Sequence, residues 1–154
     1  MIININKPAG WTSFDVVKKV RGIIKEKKVG HAGTLDPFAE GVLVLGTGLD
    51  TKKLTNITTT SKTYRANLTL GKTTDTLDLD GKISAEAVVP KLTKETIAAV
   101  LDSFDGPQEQ MPPMYSAKHV NGQRLYKLAR KNKTVERVPV RISIDKISLL
   151  DYTE

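Results

Sequence analysis

Hydrophobic and polar positions in the first third of the chain predict a strand, a helix, a second strand and a short helix. Residues 2–5 are typical of a short strand, and KPAG then turns the chain. Thr12 or Ser13 can cap the helix that follows. Residues 41–45 are an apolar run that predicts a buried strand, and residues 49–57 are compatible with a short helix. The first helix carries one apolar stripe, formed by Val16, Val17, Val20, Ile23 and Ile24.

The middle of the chain continues with strand-like and helical patterns. Residues 63–71 alternate between apolar and polar positions, which predicts a half-buried strand. A polar, acidic loop with an Asp80-Gly81 turn follows, and residues 82–88 predict a weaker strand. Residues 93–101 predict a helix, capped by Thr93. The side chains of that helix expected to face the core are Ile97, Val100 and Leu101.

The last third combines a protruding loop with a strand. Residues 108–135 are rich in proline and glycine but contain a piece of helical composition at 124–131. Residues 137–144 alternate again and predict a long strand, near a sheet edge because of Pro139. Since strands and helices are interspersed without strict βαβ units, the sequence predicts an α+β domain with a mixed, largely antiparallel sheet flanked by helices.

Charge is distributed unevenly along the 154 residues. The net charge is +7, and residues 108–141 alone hold eight Lys and Arg against two Asp and Glu, a local charge of +6. Such a concentration favours a polyanionic partner, most plausibly nucleic acid, although a solvated charged face is the alternative. No stretch has the length of a membrane span or the pattern of a signal peptide. The chain has no cysteine and two histidines, which fits a reducing cytoplasm and argues against a metal centre.

The richest candidate for chemistry is GHAGTLDPFAEGVLVLGTG at 30–48. Its spacing matches neither a phosphate-binding P-loop nor a dinucleotide-binding turn. A structural interpretation is available, with Asp36 as helix N-cap before Pro37 and the glycines as turn residues. A functional interpretation makes Asp36 act on a glycosidic carbon or its neighbouring proton. A glycosidase-like pair of Asp36 and Glu40 is a third option, since the two are neighbours if this segment is helical.

Two further groups of residues have both a structural and a functional interpretation. Tyr64 lies on the apolar face of its predicted strand, so it is either a core tyrosine or a ring that stacks on a base. Basic residues on the 108–135 protrusion are either solubilising charge or an RNA-contacting arm. They are Lys118, His119, Arg124, Lys127, Arg130, Lys131 and Lys133.

Four ordered blocks resemble the TruB family of tRNA pseudouridine synthases. KPAGWTS at 7–13 is similar to the family's KPxGxTS, and the segment 30–48 is similar to GHxGTLDPxAxGVLxxxxG. SKTYRANLTLGKTTDTLDLDG at 61–81 resembles the K-x-Y strand and the G-x-x-T-x-T-x-D-x-x-G loop. QMPPMYSAKHVNGQRLYKLAR at 110–130 resembles QxPPxYSA…GxRxYxLAR.

The resemblance implies the pseudouridine synthase fold and a cytoplasmic enzyme that isomerises uridine 55 in the T loop of tRNA without metal or cofactor. It implies that Asp36 is the essential aspartate, acting by covalent attack or by removal of the 2′ proton. His31 then helps to hold the flipped-out nucleotide, and Tyr64 packs on the target base. Residues 108–135 correspond to a thumb-like insertion that contacts the T stem-loop.

The resemblance also sets expectations for the loop and for the extent of the chain. Gly30 and Gly33 are expected to let the backbone approach RNA closely. Residues 1–154 correspond to the N-terminal part of the catalytic domain, in a protein expected to be a monomer when full length. The family's arginine that pairs with the catalytic aspartate, and its C-terminal RNA-binding domain, are not among these residues. Exposed sheet edges and apolar surface are therefore expected.

Three functional hypotheses follow. The first is a tRNA-uridine isomerase. The second is a catalytically incomplete module that binds or folds tRNA, suggested by the missing arginine segment and the local positive charge. The third is a glycoside-type hydrolase that uses Asp36 and Glu40.

Overall fold

A computed structural model describes residues 1–116, 118–120 and 122–153. The chain forms two compact units, Met1–Ala66 and Asn67–Glu154. Every strand pair in the described ranges is antiparallel, and helices are interspersed among the strands, which agrees with the predicted α+β class. The pairs form one three-stranded and three two-stranded sheets.

The first unit is built on a three-stranded sheet. Its strands are β1 (Ile2–Lys7), β2 (Val29–His31) and β3 (Gly41–Thr47), in the order β1-β3-β2. The register pairs Lys7 with Gly41 and His31 with Leu45. The strands predicted at 2–5 and 41–45 are confirmed as β1 and β3. The segment 32–40 connects β2 to β3: it begins where β2 ends, and it ends where β3 pairs with Lys7 of β1.

Helix α1 (Ser13–Ile24) begins with a complete capping box. The Thr12 hydroxyl accepts a hydrogen bond from the N–H of Asp15 at 3.1 Å, and the Asp15 carboxylate accepts one from the N–H of Thr12 at 3.0 Å. These bonds satisfy N–H groups that a helix start leaves without an intrahelical partner. The predicted cap is therefore confirmed, with Thr12 in that role.

The core of this unit lies between α1 and the sheet. Its buried members are Val16, Val17, Val20, Val29, Leu43 and Leu45. Two expectations about it were wrong in detail. Ile23 is 67% exposed because it lies at the margin of the helix stripe, and Val42 is 69% exposed because β3 buries only one face.

The predicted short helix is confirmed as a 3₁₀ helix, Gly48–Lys53, that continues into α2 (Leu54–Thr58). It packs closely against β3 at Gly46. A Cβ atom at Gly46 would lie 2.9 Å from the carbonyl oxygen of Asp50 and 3.0 Å from Cγ of Leu54, so only glycine fits there.

The predicted strand at 63–71 is wrong: residues 61–70 form no helix or strand. Tyr64 is 73% exposed and Leu68 82% exposed, so this tyrosine is not a core residue. Alternation predicts which face a strand could bury, but a strand also needs a neighbour for its backbone hydrogen bonds. None of the strands among the described residues pairs with this segment.

The second unit consists of small elements. Strands β4 (Lys72–Thr74) and β5 (Ile83–Glu86) form a hairpin around the predicted acidic turn, and α3 (Lys94–Asp102) follows with Thr93 as its cap. Strand β6 (Gly106–Gln110) pairs with β9 (Val140–Ile144). Between them lie β7 (His119–Val120), β8 (Gln123–Arg124) and α4 (Leu125–Ala129).

Three expectations for this unit needed correction. Helix α3 has no buried residue, and Val100 is 56% exposed rather than in a core. Strand β9 begins at Val140, not at 137, since Pro139 has no N–H for a ladder. Strand β6 lies where a loop was expected, because its partner β9 is distant in sequence.

Candidate active site

The loop between β2 and β3, residues 32–40, carries Asp36 and is called the aspartate loop here. The N–H of Ala32 donates to the carbonyl oxygen of Val44 at 2.9 Å and extends the β2–β3 ladder into the loop. The helix start that the structural interpretation placed at Asp36-Pro37 does not form. Residues 36–40 contain only a turn, in which the N–H of Ala39 donates to the carbonyl of Asp36 at 3.1 Å. The helical geometry that made Asp36 and Glu40 neighbours is therefore absent.

The reason lies in the carbonyl of Pro37, which a helix would use for its own ladder. Here it accepts a hydrogen bond from the N–H of Gly10 at 2.8 Å and another from Nζ of Lys7 at 3.4 Å. Residues 7–13, which connect β1 to α1, are called the support segment. The support segment thus holds the residue that follows Asp36.

Lys7 is completely buried, which is unusual for a lysine. Besides the Pro37 carbonyl, its ammonium donates to the carbonyl of Pro8 at 2.9 Å and to that of Trp11 at 2.7 Å. A buried cation is tolerated only when it is hydrogen-bonded, and an ammonium has three hydrogens to donate. Lys7 therefore links Pro8 and Trp11 within the support segment, and it links that segment to Pro37 in the aspartate loop.

Ser13 holds the residue on the other side of Asp36. Its hydroxyl accepts a hydrogen bond from the N–H of Leu35 at 2.9 Å and donates one to the carbonyl of Leu35 at 3.2 Å. The Leu35 side chain packs against the core of the first unit. Both neighbours of Asp36 are thus anchored, while Asp36 itself is exposed. An exposed carboxylate on fixed backbone can meet a substrate in a defined position, as a nucleophile or as a base.

His31 lies at the end of β2, partly exposed, where the loop begins. Its Nδ1 is hydrogen-bonded to the carbonyl of Gly33. Because a carbonyl only accepts, Nδ1 carries the hydrogen, and in a neutral ring Nε2 is then the acceptor. Gly33 has a φ of +111°, which favours glycine, and nothing lies within 4 Å of its missing Cβ position.

Gly30 lies within β2 rather than in the loop. A Cβ atom there would lie 3.3 Å from Cδ1 of Leu54, so its missing side chain makes room for α2. Tyr64 belongs to the same compact unit as Asp36 and His31, in the irregular segment after α2.

The predicted RNA-contacting residues all belong to the second unit, and all are exposed. Lys118 and His119 lead into the β7–β8 hairpin, which ends at Arg124. Lys127 lies on α4, and the guanidinium of Arg130 stacks over the Tyr126 ring at 5.5 Å from its centre. Completely buried Leu125 anchors this group. Lys131 and Lys133 follow the helix.

Sequence reasoning missed the roles of Lys7, Gly10 and Ser13. The KPAGWTS block was singled out as a motif, but a lysine at a strand end is expected to be solvated, and a serine before a helix to be a cap. Only the pairing of β1 with β3 brings these residues against the aspartate loop.

Within residues 1–116, 118–120 and 122–153, no three His, Cys, Asp or Glu side chains are grouped as ligands for a metal ion. No helix in those ranges has both the length and the apolar character that crossing a membrane requires.

The chain is similar to known proteins over almost its whole length. It is 48% identical over 152 residues to a tRNA pseudouridine synthase B of Microcystis aeruginosa, covering 99% of this chain and 52% of that protein. It is 49% identical over 150 residues to a tRNA pseudouridine synthase B of Clostridium kluyveri, covering 97% and 52%. The chain thus spans about half the length of these relatives.

Two further comparisons concern fold and family. A chain in the crystal structure of a Cbf5-Nop10-Gar1 complex superposes with a TM-score of 0.62 at 23% identity, over 99% of this chain and 36% of that chain. This structural similarity confirms the fold that the sequence predicts, the pseudouridine synthase fold. Residues 21–154 match the N-terminal domain of the TruB family pseudouridylate synthases. With most of its length covered by that match, the chain belongs to the TruB family.

Proposed function

We propose that the protein isomerises uridine to pseudouridine at position 55 in the T loop of tRNA. The observation that carries this proposal is the exposed Asp36, whose two sequence neighbours are both held by the support segment. Relatives with 48% and 49% sequence identity to the chain are named tRNA pseudouridine synthase B. The activity, substrate and partners of the whole protein are part of the proposal, since the chain spans about half of those relatives.

The reaction exchanges one bond of the nucleotide for another. The bond from N1 of the base to C1′ breaks, the base turns, and a bond from C5 to C1′ forms. C5 loses its proton to solvent, and N1 gains one. Asp36 acts in its ionised form, either by covalent attack on the nucleotide or by removal of the 2′ proton, and both roles need a carboxylate fixed relative to the sugar.

His31 and Tyr64 are proposed to hold the extruded nucleotide. A base within a structured loop has to leave its stack before an enzyme can reach it, and the pocket then holds it by stacking and polar contacts. The exposed ring of Tyr64 can stack on a base, and His31 is oriented by its bond to Gly33. Gly33, with its open Cβ position, leaves room for the RNA backbone.

The exposed basic residues between 108 and 135 are proposed to be a thumb that contacts the T stem-loop. Their charge is uncompensated locally, and phosphate contacts position a protein on nucleic acid. We further propose that the protein works as a monomer in the cytoplasm, without a metal or cofactor.

A tritium-release assay on tRNA labelled at C5 of uridine tests the proposal with the whole gene product. The wild-type protein should release tritium, and Asp36→Asn should lower the rate by about 10³-fold or more, as loss of an essential catalytic group does. Glu40→Gln is the matched control, because it neutralises another exposed carboxylate of the aspartate loop. Loss of activity in Glu40→Gln would favour a carboxylate pair.

Binding to the same tRNA, measured in parallel, separates the second candidate function. Salt-sensitive binding without any product would indicate a tRNA-binding module rather than an enzyme. Normal turnover by Asp36→Asn would refute the catalytic assignment.

A further inference from the structure

The hydroxyl of Ser13 is a hydrogen-bond partner for both backbone polar groups of Leu35, the residue that precedes Asp36. It accepts from the N–H of Leu35 at 2.9 Å and donates to the carbonyl of Leu35 at 3.2 Å. A hydroxyl has one hydrogen and two lone pairs, so a single Ser13 side chain can satisfy both groups. Ser13 is 3% exposed, and little water can substitute for it there.

Ser13 is itself fixed by the helix that it opens. It is the first residue of α1, directly after the Thr12 cap, and α1 packs through Val16 and Val17 into the core. The Leu35 side chain packs against that same core. The Ser13–Leu35 link therefore joins the aspartate loop to the packed core of the first unit, the kind of support that a positioned functional group requires.

We propose that Ser13 is a positioning residue for Asp36, which sets the rate of the chemical step rather than the affinity for tRNA. This inference rests on the proposed function, in which Asp36 is the catalytic residue. The aspartate side chain is short, so a shift of the backbone at Leu35 moves the carboxylate with it. A misplacement of about 1 Å can lower a rate by about 100-fold.

Thr12 provides a matched control beside Ser13. Its hydroxyl also serves the start of α1, but it bonds to Asp15 within the helix and not to the aspartate loop. Loss of the Thr12 hydroxyl weakens the helix start, and loss of the Ser13 hydroxyl releases Leu35. Comparing Ser13→Ala with Thr12→Ala thus separates positioning from stability.

The experiment measures single-turnover pseudouridine formation and tRNA affinity for the whole gene product. Ser13→Ala should lower the single-turnover rate by about 10- to 100-fold, while the Kd for tRNA stays within about twofold. Ser13→Thr keeps the hydroxyl and should recover most of the rate. Thr12→Ala should keep the wild-type rate at a temperature where it is fully folded.

Two kinetic results would overturn the proposal: a wild-type rate in Ser13→Ala, or equal loss of rate in Ser13→Ala and Thr12→Ala. If Ser13→Ala does not fold, Ser13→Cys makes the same test, because a thiol has similar size but is a weak donor.

Hydrogen exchange at the Leu35 amide gives a readout that needs no activity. The amide should be protected in wild type and Thr12→Ala, and should exchange faster in Ser13→Ala. If wild type forms no pseudouridine, the proposed function fails, and this exchange still decides the structural link. Unchanged protection in Ser13→Ala would overturn the positioning role.

Discussion

The two compact units of the chain are packed very differently. The first unit holds a continuous core of six buried side chains between α1 and a three-stranded sheet. In the second unit, the buried apolar side chains among the described residues are Pro112, Leu125 and Ala129. Its strands form two-stranded sheets, which are marginally stable on their own.

This difference fits the two roles proposed above. The catalytic role proposed for Asp36 needs a carboxylate with rigid support, and Asp36 lies in the unit with the continuous core. The second unit exposes charged side chains on the β7–β8 hairpin and on α4. It also exposes apolar side chains such as Leu79, at 82%, and Val88, at 96%. Exposed apolar side chains are thus present in this unit, as expected.

The largest expected effect tests whether the first core carries the stability. Leu45 is completely buried at the centre of the sheet, so Leu45→Ala should lower the free energy of unfolding by about 3 kcal/mol. Val42→Ala, on the exposed face of the same strand, should change it by less than about 0.5 kcal/mol. Urea unfolding followed by circular dichroism measures both. An equal or larger loss for Leu125→Ala in the second unit would contradict the comparison.

The second prediction concerns the support of the aspartate loop. Lys7→Met has a side chain of similar length but removes the ammonium, so the buried carbonyl groups of Pro8 and Trp11 lose this donor and that of Pro37 keeps only the N–H of Gly10. It should lower the free energy of unfolding by about 2 kcal/mol. The control is Lys19→Met on the exposed side of α1, which should stay within about 0.5 kcal/mol of wild type. Equal urea midpoints for the two variants would show that the buried ammonium contributes nothing.

The third prediction tests whether the second unit contacts RNA. Removing both charges in Lys131→Ala/Lys133→Ala should weaken tRNA binding about fivefold, or about 1 kcal/mol. The slope of log K against log salt should fall by about 1 for each phosphate that the protein no longer neutralises. Filter binding across a salt series measures both quantities. Lys146→Ala, an exposed lysine outside the thumb, is the control, and an identical change there would indicate a general charge effect.

The smallest expected effect concerns the capping box of α1. Hydrogen bonds from Thr12, first from its side chain and then from its backbone, hold the pKa of Asp15 below its ordinary value of 3.8. The folded state thus favours the ionised carboxyl, and the stabilisation is complete above the ordinary pKa and lost as pH falls through the lowered one. Asp15→Asn should therefore be less stable than wild type at pH 7. The two proteins should converge in urea unfolding at low pH, and a gap that widens there would reverse the sign of the argument.

Local signals in the sequence predicted the elements that depend on local interactions. The Thr12 cap, the stripe of α1 and the apolar run of β3 each lie within a few residues and are confirmed. The strand at 63–71 failed because alternation says nothing about whether a pairing partner is available. The helix at Asp36-Pro37 failed because the carbonyl of Pro37, its first residue after the cap, is bonded to Gly10, which lies 27 positions earlier in the chain.

The candidate site was predictable in its chemistry but not in its support. Asp36 and His31 were identified from the motif, and their roles stay predictions until activity is measured. The burial of Lys7 and the two hydrogen bonds between Ser13 and Leu35 depend on the register of β1 with β3. No periodicity in the sequence encodes that register.

Leu35 and Pro37 are each held by the support segment, and Asp36 is the single residue between these two anchors. An insertion or deletion there would displace an anchor or remove the aspartate. Under the proposed function, the length of the loop between these two anchors is therefore as critical as the identity of the aspartate itself.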